Sequence, residues 1–276
     1  MIYDLHVHTS ASDGALSPCE IVDLAIASAI QGIAITDHDT INGLEPAILY
    51  KNENEFSIDI IPGIEMNTEA GEQEVHILGY YIDYHNSRLI KRLEEIRWAR
   101  YERAQKMIHK LNGLGMSISF DQVQDLAGGD LIGRPHIALA LIKNNYVFSI
   151  AEAFNKYIGK GKPAYVNRYK FLPQEAIDLI KTVGGIPVLA HPGLIADEPV
   201  ILDIIKLGIE GLEVYYPQHD ENQIAKFLDL SRKYNLLVTG GSDYHGNSNE
   251  NFRNSLGCSF ITHNLIAKIS AHRNRT

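Results

Sequence analysis

The chain has 276 residues, 45% of them hydrophobic, and a formal net charge of −9. This length suffices for one large α/β domain with an insertion, and the two cysteines, Cys19 and Cys258, are too few for a disulfide framework or a thiolate metal site. We find neither a secretory leader nor an apolar run of the roughly 20 residues that a membrane span needs, so we expect a cytoplasmic protein without a membrane partner.

Strand and helix signals alternate from the start of the chain. A strand is predicted over Ile2–Val7, and Ser17-Pro18-Cys19-Glu20 then opens a helix with an N-cap serine, a first-turn proline and a capping-box glutamate. Further strands are predicted at 32–36, 58–64, 75–82, 185–189, 211–215 and 236–239, and helices near 41–52, 173–183, 198–206 and 220–234. Seven strands that mostly alternate with helices predict a parallel α/β barrel.

The strand signal stops between residues 84 and 168, where apolar side chains recur at helical spacing, as in Leu89, Leu93 and Ile96. We therefore predict a helical insertion at 84–168 in a barrel formed by 1–83 and 169–276. Gly128-Gly129 and Gly159-Lys160-Gly161 predict turns inside this insertion.

Charge is distributed unevenly along the chain. Residues 84–170 carry 15 basic and 7 acidic side chains, whereas the remainder carries 10 basic and 27 acidic ones. A basic segment in an otherwise acidic protein would bind a polyanionic substrate, but a long helix with a solvated charged face explains the same pattern. Both interpretations stay open.

Two histidines, His6 and His8, close the first predicted strand. Their i, i+2 spacing puts both imidazoles on one face, so they can share one ion inside the barrel. Asp37-His38-Asp39 follows the next strand, and a carboxylate beside an imidazole is typical of a ligand whose second ring nitrogen is held by an acceptor. We predict His38 as a ligand, with Asp37 or Asp39 in supporting or loop-capping roles.

Glu65 closes the third predicted strand. A carboxylate in a barrel mouth is costly unless it is paired, and bridging two cations would satisfy it. His76 follows on the next strand and points opposite to Val75 and Ile77, so a ligand role and a solvent-facing role are both open.

His191, Asp243 and His245 follow later strands, and the carboxyl ends of barrel strands are where barrel enzymes place their chemistry. Because imidazole and carboxylate hold divalent first-row metals, the pattern predicts a multinuclear metallohydrolase. Asp13 lies in a Ser-Ala-Ser-Asp-Gly loop, where turn chemistry alone explains an aspartate.

Arg134-Pro135-His136 opens a predicted helix within the basic insertion. Guanidinium, imidazole and free backbone N–H groups at a helix start can together hold a phosphate. An ordinary helix start with proline in its first turn is the alternative.

Taken together, these motifs resemble those of the PHP (polymerase and histidinol phosphatase) metallophosphoesterases, over nearly the whole chain. The matching motifs are Asp4-Leu5-His6-Val7-His8-Thr9, Thr36-Asp37-His38-Asp39, Gly63-Ile64-Glu65, Ala190-His191-Pro192 and Gly241-Ser242-Asp243-Tyr244-His245. The resemblance implies a distorted seven-stranded (β/α) barrel that binds metal, with the insertion as a substrate-binding cap. It also implies three divalent ions, manganese first, with iron or zinc as alternatives.

Carried over residue by residue, the resemblance implies three ligand sets: His6, His8, Glu65 and Asp243 for one ion, Glu65, His76 and His191 for a second, and Asp13, His38 and His245 for a third. Asp13 departs from other family branches, which have histidine at this place, and the departure bears on the identity or affinity of the third ion.

The insertion around Arg134 resembles a family branch of stand-alone enzymes that act on nucleotides. The resemblance implies removal of the 3′-phosphate from 3′,5′-nucleoside bisphosphates, pAp to AMP, and 5′-to-3′ exonuclease activity on short RNA. As a hypothesis, a metal-bound hydroxide attacks phosphorus, and His191 is required for this activity. Arg134 positions a second phosphate with the help of His136, or His219 or another histidine protonates the leaving oxygen.

Three rival functions are considered. An amidohydrolase also uses a strand-end H-x-H motif, but such sites commonly add a bridging lysine, and no strand-end lysine is found. A histidinol-phosphate phosphatase is disfavoured by the basic insertion, and a noncatalytic metal-binding module by the completeness of the ligand set. No obligate protein partner is indicated.

Overall fold

The computed structural model describes residues 1–71, 73–127, 132–246 and 255–273. The chain divides into two compact units, one formed by Met1–Ile90 with Lys170–Thr276 and the other by Lys91–Tyr169. The first, the barrel unit, has an α/β architecture and confirms the predicted fold class. The second, the helical unit, contains helices and no strand among its described residues.

Eight strands of the described residues form one sheet in the barrel unit. They are β1 (Ile2–Val7), β2 (Gly32–Ile35), β3 (Asp59–Ala70), β4 (Gln73–Tyr80), β5 (Ile186–Leu189), β6 (Gly211–Tyr215), β7 (Leu237–Gly240) and β8 (Ile261–Thr262). Their order is β7-β6-β5-β4-β3-β2-β1-β8. A parallel bridge between Val7 and Tyr244 joins β1 to the segment after β7, so the barrel is nearly closed.

The prediction of a parallel barrel is wrong at β4. This strand runs antiparallel to both β3 and β5, whereas β1, β2 and β3 pair in parallel, as do β5, β6 and β7. The reason is that β3 continues to Ala70 and turns directly into β4, so no crossover helix separates these two strands. Glu65, predicted at the end of a strand, lies within β3 opposite Leu78.

The eighth strand was not predicted from the sequence. β8 has two residues, pairs antiparallel with β1 and leads directly into helix α10 (His263–Arg273). Such a short strand has no alternation of polar and apolar residues, so its pairing depends on contacts distant in the sequence.

The other helices of the barrel unit follow the predicted order. They are α1 (Pro18–Ala27), α2 (Leu44–Glu53), α7 (Pro173–Thr182), α8 (Glu198–Lys206) and α9 (Glu221–Tyr234). The predicted capping box of α1 is confirmed: the backbone N–H of Ser17 donates to Oε2 of Glu20 at 2.8 Å, and the Ser17 hydroxyl accepts from the Glu20 backbone N–H at 3.3 Å.

Helix α3 (Ser87–Gly113) begins in the barrel unit and continues into the helical unit. The helical unit therefore starts at Lys91, later than the predicted boundary at residue 84. It also holds α4 (Phe120–Ala127), α5 (Arg134–Lys143), α6 (Ile150–Ala153) and a π-helical turn (Phe154–Ile158). These elements share an apolar core that includes Met107, Leu111, Val123, Ile137, Leu141 and Ile158.

The two turns predicted in the insertion have different outcomes. The backbone N–H of Lys162 donates to the carbonyl of Gly159 at 3.0 Å, and Gly161 has a φ of 75°, which confirms the later turn. The turn at Gly128-Gly129 lies outside the described residues. None of the helices in the described ranges combines the length and apolar character that crossing a membrane requires.

Candidate metal centre

The predicted metal ligands all lie in the barrel unit, and most follow the carboxyl ends of the parallel strands. His6 is on β1 and His8 follows it, and both side chains are fully buried with ring centroids 5.1 Å apart. Asp243 and His245 follow β7, next to the bridge that closes the barrel. Strand ends distant in the sequence therefore place their side chains together.

The first group of possible ligands consists of His6, His8, Glu65 and Asp243, whose donor atoms all lie within 4.8 Å of one another. Nε2 of His6 is 3.3 Å from both Oε2 of Glu65 and Oδ1 of Asp243. Nε2 of His8 is 3.3 Å and 3.1 Å from the same two oxygens. Two imidazoles and two carboxylates thus converge on one point.

A second group consists of His8, Asp13, His38 and His245. Oδ1 of Asp13 is 3.3 Å from Nε2 of His245 and 3.9 Å from Nδ1 of His8. Nε2 of His38 is 3.9 Å from Oδ2 of Asp13. His8 therefore faces two groups at once, with Nε2 toward the first and Nδ1 toward the second.

A third group surrounds the other oxygen of Glu65. Oε1 of Glu65 is 2.8 Å from Nδ1 of His76 and 3.1 Å from Nε2 of His191, and the two imidazole centroids are 5.1 Å apart. Nδ1 of His38 is 2.9 Å from Oε2, the oxygen of Glu65 that faces the first group, and His38, Glu65 and His76 together form a possible ligand set. Glu65 is fully buried and has one oxygen in each of two groups, which is the arrangement of a bridging carboxylate.

Several buried atoms of these groups lack hydrogen-bond partners, as expected if the groups bind metal ions. Within the described ranges, Nε2 of His6, both ring nitrogens of His8 and Oε2 of Glu65 are buried and lack a partner in hydrogen-bond geometry. A buried polar atom without a partner costs about 1–3 kcal/mol, and here four such atoms lie at shared points. Divalent cations would satisfy all four, so the donor set fits divalent first-row metals.

The same contacts perturb the ionisation of the metal-free site. Burial alone would lower the pKa of His8, but its contacts with Asp243 and Glu65 outweigh burial and raise the pKa to about 10. Burial also opposes the rise at His76, where Glu65 raises the pKa to about 9. Burial would raise the pKa of Glu65, but the charges of His38, His6 and His76 hold it well below its ordinary value. Protons thus take the place that cations would occupy.

Glu213 supports the centre and was missed in the sequence. It is fully buried on β6, where Oε1 is 2.9 Å from Nδ1 of His6 and Oε2 accepts the backbone N–H of His191 at 2.8 Å. An acceptor on the second ring nitrogen fixes the orientation and tautomer of a metal-bound imidazole. A charged residue between Leu212 and Val214 in an otherwise apolar strand was the available signal.

Two further side chains, Asp4 and Tyr216, form hydrogen bonds with residues that follow β7, where the barrel closes. Asp4 accepts the backbone N–H and the hydroxyl of Ser242 at 2.8 Å and 2.5 Å, and burial raises its pKa to about 6. Tyr216 donates its hydroxyl to Oδ2 of Asp243 at 2.9 Å. Asp4 belongs to the motif that begins the chain's family resemblance, whereas no sequence pattern singled out Tyr216.

Asp37 orders the loop that carries Asp13. It accepts the backbone N–H and the hydroxyl of Thr9 at 2.7 Å and 2.8 Å, and the hydroxyl of Ser12 at 2.6 Å. Asp39 accepts the backbone N–H of Asn67 at 3.0 Å. Their contacts are those of loop-ordering residues next to His38.

Left-handed backbone occurs at three residues of the centre. Asp39, His191 and Asp243 have φ values of 48°, 28° and 53°, a region that side chains with a Cβ seldom adopt. Such strain persists only where the surroundings over-determine it, and it clusters at functional sites.

His219 cannot serve as the acid that protonates a leaving group. Its Nδ1 lies 2.9 Å from the carbonyl of Val214 and must donate, while Nε2 accepts the backbone N–H of Gly193 at 3.0 Å. Burial lowers the pKa of His219, which favours this neutral form. In this form the one ring proton lies on Nδ1 and is held by the carbonyl of Val214, so Nε2 has no proton for a leaving group; His219 instead fixes the turn after His191.

Arg134 and His136 lie in the helical unit, at the start of α5. The guanidinium carbon of Arg134 is 5.1 Å from the ring centroid of Phe154. Nδ1 of His136 accepts the backbone N–H of Gly133 at 3.1 Å and caps the helix. The capping contact agrees with the helix-start interpretation and leaves Nε2 of His136 protonated.

The barrel and its histidine–carboxylate groups define a metal centre of the kind that assists hydrolysis. A model of the PHP domain matches residues 4–195. The chain is 33% identical to the 5′-3′ exoribonuclease Rnm of Escherichia coli K12 over 89% of this chain and 85% of the relative. It is 35% identical to the 3′,5′-nucleoside bisphosphate phosphatase of Chromobacterium violaceum over 88% of this chain and 86% of that protein.

A solved structure agrees with these sequence matches. The crystal structure of a predicted metal-dependent phosphoesterase from Bifidobacterium adolescentis superposes with a TM-score of 0.84 and 28% identity, covering 98% of this chain and 95% of that one. The chain belongs to the PHP domain family. It is a metal-dependent phosphoesterase, which confirms the reaction class predicted from the sequence.

Proposed function

We propose that this phosphoesterase removes the 3′-phosphate of 3′,5′-nucleoside bisphosphates, converting pAp to AMP, and degrades short RNA from its 5′ end. The observation that carries the proposal is the similarity to both kinds of relative across almost nine-tenths of the chain. A basic helical unit supports it, because a bisphosphate or an RNA end carries more negative charge than a single phosphoester.

The metal complement belongs to the proposal as well. Three divalent ions are inferred, with manganese as the expected metal and iron or zinc as alternatives. The ligand sets follow the family resemblance, and the three side-chain groups of the structure overlap with them. His6, His8, Glu65 and Asp243 would hold one ion, Glu65, His76 and His191 a second, and Asp13, His38 and His245 a third. The distances from Oε1 of Glu65 to His76 and His191 support the second set.

We assign the reaction to residues of the barrel unit and substrate binding to residues of the helical unit. Bound divalent ions would activate water and neutralise charge on the reacting phosphate. Glu65 and the histidines around it would hold those ions. Glu213 fixes the imidazole ring of His6 and the backbone of His191. In the helical unit, which we propose as the substrate-binding cap, Arg134 binds the second phosphate, and the Nε2–H of His136 donates to it.

We further infer a cytoplasmic enzyme without an obligate protein partner. Cys19 and Cys258 are not joined in a disulfide, as expected in a reducing compartment.

The test is phosphate release by purified, manganese-loaded protein from pAp, from AMP and from histidinol phosphate, with a chelator control. We expect chelator-sensitive release from pAp that leaves AMP, and little release from the other two. A second assay follows mononucleotide release from 5′-phosphorylated short RNA. Faster release from histidinol phosphate than from pAp would replace the proposed substrate, and hydrolysis of dipeptides in place of phosphoesters would favour the amidohydrolase alternative.

A further inference from the structure

The helical unit carries an open groove of about 800 Å³ that lies outside the metal centre. One wall is an exposed face of α3, and the other is the segment from Tyr165 to Asn167. The residues that α3 contributes are Gln105, Lys106, His109 and Lys110. The volume is at the upper end of the range for small-ligand sites, and the groove is open along its length.

The groove has a positive lining. Lys106 and Lys110 lie one helical turn apart on α3, and no carboxylate lines the groove within the described part of the chain. The ammonium of Lys110 donates to the carbonyl of Tyr165 at 2.7 Å, which anchors it at the wall. The ammonium of Lys106 pairs with exposed Glu102 at 3.2 Å. Each ammonium has three N–H donors, so both keep donors for an anion.

Arg103 joins this groove to the start of α5. Its Nε donates to the carbonyl of Val166 at 2.9 Å, and its guanidinium carbon is 5.6 Å from the ring centroid of Tyr165. Burial, together with repulsion from Arg134 and Arg168, lowers the pKa of Arg103 to about 10. Positive charge is therefore concentrated from Arg134, through Arg103, to the lysines of the groove.

We propose that this groove binds the sugar-phosphate backbone of the nucleotides that follow the first one in a short single-stranded RNA. The inference rests on the proposed nuclease function and names the surface that would separate RNA from a bisphosphate. A bisphosphate has only two phosphates, which the proposed function already assigns to the metal centre and to Arg134. Each further nucleotide adds one negative charge, and a positive groove with an aromatic wall suits a single strand whatever its sequence.

The experiment compares the wild type with a Lys106→Ala/Lys110→Ala variant, both loaded with manganese. A Lys156→Ala/Lys206→Ala variant is the matched control, because it removes the same charge away from the groove and each of its lysines, like Lys106, pairs with a nearby carboxylate. The first readout is the Kd of a fluorescein-labelled RNA octamer with phosphorothioate linkages, measured by anisotropy at several salt concentrations. The second is the ratio of kcat/KM for an unmodified octamer to kcat/KM for pAp.

We expect the groove variant to bind the octamer at least about fivefold more weakly, with a salt dependence reduced by about 1.4 in the log–log slope, since each neutralised phosphate of a single strand contributes about 0.7. The octamer-to-pAp ratio should fall with it, and the control should keep both values. Unchanged octamer binding in the groove variant, or an equal loss in the control, would overturn the proposal. If the wild type hydrolysed neither substrate, the proposed function would fail, and the octamer Kd would still decide the role of the groove.

Discussion

Glu213 and His6 are joined side chain to side chain at the bottom of the metal centre, with Oε1 of Glu213 2.9 Å from Nδ1 of His6 and both residues fully buried. Because the other oxygen of Glu213 accepts the backbone N–H of His191, one carboxylate holds two predicted ligands. Its position fixes which nitrogen of His6 faces Glu65 and Asp243.

Replacing Glu213 with glutamine should therefore weaken metal binding while the barrel stays folded. Glu213→Gln keeps the shape of the side chain but removes its charge, and losses of such supporting partners cost about 10–100-fold in metal affinity or activity. Metal titration and kcat measure the effect. Glu210→Gln, immediately before β6, is the control because Glu210 pairs with Lys181 and His272 and not with the metal ligands, and a loss of the same size there would contradict a specific role for Glu213.

The contribution of Tyr216 to stability and to kcat should come from its hydroxyl group alone. Burial and the neighbouring Asp243 raise its pKa, so it remains a donor to Oδ2 of Asp243 at any working pH. Tyr216→Phe should destabilise the metal-free protein by about 1.5 kcal/mol, the lower value for a hydrogen bond to a charged group, and reduce kcat about tenfold or less. Urea unfolding and steady-state kinetics measure the two effects. Tyr215→Phe is the adjacent control, and equal losses in both variants would remove the assignment.

Metal binding should release protons at neutral pH. In the metal-free protein the pKa is about 10 for His8 and about 9 for His76, so both rings are protonated at pH 7 and a cation must displace the protons. Metal affinity should rise with pH until these values are passed, by about tenfold per pH unit for each proton displaced. Burial would lower the pKa of His6, but Glu213, Asp243 and Glu65 hold it well above its ordinary value, so His6 should release a proton as well. Calorimetry at pH 7 in buffers of different ionisation enthalpy counts the protons, and we expect about three.

The raised pKa values of His8 and His76 also predict how the stability of the metal-free protein changes with pH. Each imidazolium stabilises the fold fully below its unfolded pKa of about 6.5, and this contribution is lost as pH rises through the folded value. The Tm measured with chelator should fall between pH 6.5 and 10, whereas the metal-loaded protein should not show this fall. Zero proton release together with a flat Tm in chelator would show that the metal-free rings are neutral.

His191 and Arg134 should separate reaction from binding. His191→Ala removes a predicted ligand, and activity should fall by at least about 100-fold, since losing a supporting partner alone costs about 10–100-fold. Arg134→Ala should instead raise KM for pAp about tenfold or more, as expected for losing a charge-assisted hydrogen bond of about 1.5–3 kcal/mol. Steady-state kinetics on pAp, with circular dichroism to check folding, distinguish the two. Unchanged kinetics for both variants would contradict both roles.

Local sequence patterns were sufficient for most of the barrel. The strand β1 and the capping box at Ser17 depend on neighbours within a few residues, and both were predicted where the structure has them. The hairpin from β3 to β4 was not predicted, because a turn and a crossover differ in contacts made across the sheet. The short strand β8 was missed for the same reason, since only its pairing with β1 defines it.

The sequence by itself determined the chemistry of this protein, because imidazoles and carboxylates that follow apolar strands, as His8, His38 and Asp243 do, can be recognised one strand at a time. Only the tertiary structure decided how they combine. It put Nδ1 and Nε2 of His8 toward different groups and one oxygen of Glu65 in each of two groups. The physical reason is that periodicity fixes the face on which a side chain lies, whereas the partner it meets depends on strand pairing between residues far apart in the chain.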